Sequence, residues 1–138
     1  MNLATLRVEG TDSALESLRE TLSLECDTQW GKGDKRRNGS VHESSGFNAT
    51  IADAGSPREL EGLIRSFLTR CRNKKIVFPS LDLSAELSVG LTVGDTHQFV
   101  AGVEFTSSDL LLCAETGITL SVIAYPTSDE ANAEENAT

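Results

Sequence analysis

Residues 85–93, AELSVGLTV, put Ala85, Leu87, Val89, Leu91 and Val93 on one side of an extended chain and Glu86, Ser88, Gly90 and Thr92 on the other. A period of two belongs to a strand, and one apolar side means a strand with one dry face and one wet face. The pattern recurs. Ala4, Leu6 and Val8 alternate with Thr5, Arg7 and Glu9; Phe47, Ala49 and Ile51 alternate with Asn48 and Thr50; Ile118, Leu120 and Val122 open a last strand that ends at Pro126. A chain of half-buried strands needs a second layer over their apolar faces.

Amphipathic helices can supply that layer. Ser13 and Glu16 read as a capping box that opens a helix over 13–23, with Leu15, Leu18 and Leu22 on one face. SPRE at 56–59 is the strongest helix start in the chain: Ser56 caps, Pro57 takes the first helical position and Glu59 completes the box. Leu60, Leu63, Ile64, Phe67, Leu68 and Cys71 then form an apolar stripe. Leu63, Phe67, Leu87 and Val103 are expected to be nearly fully buried. Arg70, Arg72, Lys74 and Lys75 close this helix, where cations suit the helix dipole. A third helix is expected over about 107–116, capped by Ser107 or Ser108, with Leu110, Leu111 and Ala114 inward and Gly117 as its stop.

Three connections remain. A short strand near 27–31 carries Trp30, and IVF at 76–78 is either a strand or an extended linker. GDT at 94–96 has turn chemistry, and Phe99, Ala101, Val103 and Phe105 alternate after it, so 84–105 predicts an antiparallel hairpin. The expected fold is α+β: a two-layer sandwich, a mainly antiparallel sheet with about three helices packed on one face, forming a single domain over 1–126. The opposite sheet face would carry small or polar residues such as Thr5, Arg7, Ser88, Thr119 and Ser121, either solvated or a flat docking surface. Residues 127–138, TSDEANAEENAT, offer no large apolar side chain and are expected to be a disordered acidic tail.

Charge is divided sharply along the chain. All twelve Lys and Arg lie in residues 1–75, where eleven acids leave +1; residues 76–138 hold ten acids and no Lys or Arg. Such a half is unsuited to phosphate and hence to nucleic acid, and well suited to a cationic protein. No apolar run approaches a membrane span, and MNLATLRVEG lacks the pattern of a secretory signal, so a cytoplasmic location away from membranes is expected. Cys26, Cys71 and Cys113 are too widely spaced for a metal motif and read as reduced, mostly buried thiols. His42 and His97 lack partners at metal-ligand spacing, and no nucleophile–base pattern emerges; no catalytic residue, metal or cofactor is expected.

WGKGD at 30–34, SGF at 45–47 and ITLSVIAY at 118–125, in this order of elements, resemble a family of small bacterial domains of unknown function, family forty-two seventy-nine. The resemblance spans about residues 3–125. Phe47 stands where that family more often has Trp, and Gly31 where it more often has a basic residue. It implies an α+β fold and a bacterial origin. Some members look like immunity proteins encoded beside secreted toxins.

The leading expectation is therefore a non-catalytic immunity protein that binds and neutralises a cationic toxin domain, for example a nuclease, of a contact-dependent or polymorphic toxin system. Its partner-binding acids would be Asp82, Glu86, Asp95, Glu104, Asp109 and Glu115. The alternative is a small-anion-binding or enzymatic domain using the loop 30–47, through Lys32, Arg36, Arg37 and His42. GKGDKRRNG lacks the Gly-Lys-Ser/Thr ending of a phosphate loop. A third reading is a homodimer paired through an edge strand.

Overall fold

The computed structural model describes residues 1–135. Five strands form one sheet in the order β2-β3-β1-β4-β5: β1 Asn2–Gly10, β2 Thr28–Trp30, β3 Ser45–Asp53, β4 Ser84–Val93 and β5 Ile118–Pro126. Pairing is antiparallel for β2–β3, β3–β1 and β1–β4, and parallel for β4–β5. The described residues also form four α-helices: α1 Asp12–Leu22, α2 Pro57–Asn73, α3 Ser107–Thr116 and α4 Asp129–Glu135. The expected α+β class is the observed one; the sheet is mixed, with one parallel pairing among three antiparallel ones.

One face of the sheet is dry. Ala4, Leu6, Val8, Phe47, Ala49, Ala85, Leu87 and Val89 lie on it, packed against Leu15, Leu18 and Leu22 of α1 and Leu60, Ile64, Phe67 and Leu68 of α2. Leu63 is not part of this core: it is 39% exposed, at the margin of the α2 stripe. Val103 is only partly buried, while Phe67 and Leu87 are buried as expected.

Local signals position the helices. Ser56 Oγ accepts from the Glu59 N–H (3.2 Å) and Pro57 follows it, as the sequence predicts. Arg70 at the other end of α2 donates to the Leu22 carbonyl, so one of the cations closing α2 also caps the end of α1. The cap of α1 is Thr11, two residues before the expected Ser13; its Oγ1 accepts from Ala14 N–H (3.3 Å). α3 starts from Thr106 in a full capping box with Asp109, so Ser107 and Ser108 are already helical. Its inward side chains are Asp109, Leu112, Cys113 and Thr116; Leu110, Leu111 and Ala114 face out, the reverse of the expected stripe. Residues 78–81 form a short 3-10 turn that buries Phe78, not a strand.

The hairpin over 84–105 does not form. Both edges of β4 are already taken, by β1 on one side and β5 on the other. Residues 99–105 belong to no strand, with Ala101, Val103 and Phe105 packed against the core and Phe99 and Val100 exposed. Alternation reports an inward and an outward side, and burial alternates over 101–105 without the segment joining a ladder.

Residues 127–135 are not a disordered tail. Asp129 accepts from the backbone N–H groups of Thr96 (3.3 Å), His97 (2.8 Å) and Gln98 (3.2 Å), and Asn132 is buried, accepting from Thr92 Oγ1 (2.9 Å). Polar side chains anchor α4, which is why a search for apolar anchors misses it. The last part of the expected tail, 136–138, lies outside the described residues.

Candidate functional site

Strand order turns the division of charge along the chain into a division in space. Residues 76–138 supply β4, β5, α3 and α4, which occupy one side of the sheet, while β2 and β3 occupy the other. Among the described residues the β4–β5 side therefore holds no Lys or Arg of its own. Two cations from the first half reach its border. Arg65 on α2 grips Asp109 through Nε–Oδ1 (2.6 Å) and Nη2–Oδ2 (2.8 Å). Arg7 on β1 stands opposite Glu86 in the ladder and pairs with Glu9 (3.0 Å).

The six acids expected to form one patch are dispersed. Asp109 is not surface at all: it is 2% exposed, held by Arg65 and by the N-cap of α3. The Arg65 guanidinium is the main reason its carboxyl titrates at about 2; burial opposes that shift and hydrogen bonds from Thr106 reinforce it. Its role is to join α2 to α3. Asp82, in a left-handed conformation (φ 56°), precedes β4, and Glu115 lies near the junction of α3 with β5, so both belong to the end of the sheet where Ala85 meets Ile118. Asp95 follows β4 at the other end, roughly 30 Å away by strand rise. There it accepts from the Asp129 N–H (3.2 Å). Glu86 is exposed on the open sheet face, and Glu104 lies on the segment 99–105, its N–H donating to Glu61 Oε2. Glu130 and Glu134 of α4 are further exposed acids outside the expected patch, because the polar sequence of α4 predicts no structure.

The same side exposes large apolar groups. Leu110 and Leu111 on α3, and Val122, Ile123 and Tyr125 on β5, are each at least 40% exposed. In the β4–β5 register Ile123 lies beside Gly90 and Tyr125 beside Thr92, on the face opposite the helices. Tyr125 packs over Gly90, where an added Cβ would stand 3.4 Å from its ring.

The loop after β2 is a small ladder of its own. Gly33 N–H donates to His42 O (2.9 Å), His42 N–H to Asp34 O (2.9 Å) and Arg36 N–H to Ser40 O (2.7 Å), and Gly33 and Gly39 take positive φ to make the turns. Trp30 anchors it: Nε1 donates to Ser44 O (3.1 Å), His42 stacks on the indole at 4.9 Å and 19°, and Arg7 lies 4.5 Å from the ring centre. Trp30 also covers Gly46, where a Cβ would collide with the indole. Phe47, by contrast, lies in the core. Lys32, Arg36 and Arg37 are exposed, and His42 is turned onto Trp30. The adjacent cleft, about 410 Å³, is lined by Asp12, Glu16 and Asp34 against the single cation Arg19, a poor setting for an anion.

The thiols are apart from any such cleft. Burial pushes Cys71 up to about 11 and raises Cys113, which Asp109 raises further. Cys26 is half-buried beside Arg19 Nη1 (3.5 Å). Among the described residues no group of three or more His, Cys, Asp or Glu is arranged to hold a metal ion, and no helix is long and apolar enough to cross a membrane. No family model, curated protein or solved structure matches the chain.

Proposed function

We propose that this chain is a non-catalytic binding protein of the bacterial cytoplasm, an immunity protein that engages a cationic toxin domain and neutralises it by occlusion. The observation that carries this reading is the β4–β5 side, which has no Lys or Arg of its own and exposes both acids and large apolar groups on α3 and β5. Protein interfaces combine an apolar centre with a polar rim, and a rim of one sign draws a partner of the other. A nuclease domain, which must itself be basic to hold its substrate, fits such a rim.

Isothermal titration against the toxin domain encoded beside this gene, at low and high salt, tests the proposal. Binding that weakens as salt rises, together with rescue of cells expressing the toxin, is the expected result. Absence of both binding and rescue would end it.

A further inference from the structure

The two edges of the sheet are treated very differently. β2 is three residues long and runs directly into the laddered loop, so that edge offers little template. β5 is nine residues long and pairs with β4 without a register break from Ala85↔Ile118 to Val93↔Pro126. No other strand flanks it among the described residues. Its sequence, ITLSVIAYP, contains no charge and no proline before its last position. Edge strands are ordinarily protected by lysine, proline, a bulge or brevity. β5 has none of these before its terminal Pro126, and Val122–Pro126 are all exposed.

We infer that β5 is a docking edge, at which an extended, lysine- or arginine-bearing segment of the partner adds a sixth strand to the sheet. This rests on the binding reading above and specifies its mode. Alternate N–H and C=O groups of β5 point away from β4 and supply the main-chain bonds, while Val122 on the helix side and Ile123 and Tyr125 on the open side receive alternate partner side chains. Charge decides the occupant. A second copy paired β5 to β5 would bring two cation-free halves together, each with ten acids and no Lys or Arg. A cationic strand meets those acids with opposite charge.

A direct test uses the full chain, labelled for amide exchange, with a nine-residue peptide alternating Lys and Val; a peptide alternating Glu and Val is the control. The Lys peptide should slow exchange of the outward amides within Val122–Tyr125 by roughly tenfold at saturation, and the Glu peptide should not. Val122→Lys should abolish the protection without lowering Tm appreciably. Because exchange is read on the unsubstituted protein, the test stands even if that variant misfolds. Protection confined to residues 30–44, equal binding of both peptides, or a dimer of the chain alone lost in V122K would each overturn the inference. A toxin domain neutralised with no change at β5 would overturn the docking mode while leaving the immunity reading intact. Peptide binding at β5 without toxin neutralisation would support the edge and remove the immunity role.

Discussion

Asp109 shows how a single residue can be visible in a sequence and still be misplaced. Its acidity and its position early in a helix were legible; its partner, Arg65, lies 44 residues away and becomes a neighbour only when α2 packs on α3. The linkage follows from its depressed folded value. Unfolded, the carboxyl titrates near 3.9; folded, at about 2. Its contribution is complete above the unfolded value and is lost as pH falls through the folded one. Asp109→Ala should therefore cost about 2 kcal/mol near neutrality, and the cost should shrink below about pH 4, as urea titrations across pH would show. Part of the Arg65 side chain is solvent-exposed, which keeps this below the cost of breaking a wholly buried pair. The thiols give a second expectation at this scale. Cys71 and Cys113 are buried, with raised titration, whereas Cys26 is half-buried. Iodoacetamide under native conditions should label Cys26 first, and equal labelling of all three by mass spectrometry would contradict the packing.

At the scale of elements, strong local signals carried over and polar or long-range ones did not. Ser56-Pro57 and the alternation of β1, β3, β4 and β5 were readable because each rests on neighbours in sequence. The partner of β4 was not, because periodicity says which way side chains point and not which strand lies alongside. α4 was missed because its anchors are Asp129 and Asn132. Deleting residues 127–138 should therefore lower Tm by about 5 °C, corresponding to about 1 kcal/mol, where an unattached tail would leave it unchanged. The stripe of α2 offers a paired check. Phe67→Ala should cost about 3–5 kcal/mol, whereas Leu63→Ala, at the exposed margin, should cost less than about 1 kcal/mol in the same denaturant series.

For the whole molecule, the charge division is legible in the sequence, but the grouping of acids in space is not, since strand order decides which acids meet. Glu115 combines both issues. It lies in the last turn of α3, where an acid opposes the helix dipole. Glu115→Lys should stabilise the fold by up to about 0.5 kcal/mol and yet slow association with a cationic partner, the more so at low salt. Thermal melts and stopped-flow rates measured on one preparation separate the two effects; unchanged rates would exclude that end of the sheet from the encounter. The position of β1 has a consequence for synthesis. Of the five strands of this sheet, β1 is made before the others and is the middle one, flanked by β3 and β4. Its second flank stays bare until residue 93 has been added, which at about 5–20 residues per second means roughly 4–16 s of translation with Leu6 and Val8 incompletely covered. Truncated nascent chains ending before Ser84 should accordingly be the species that a cell's chaperones hold.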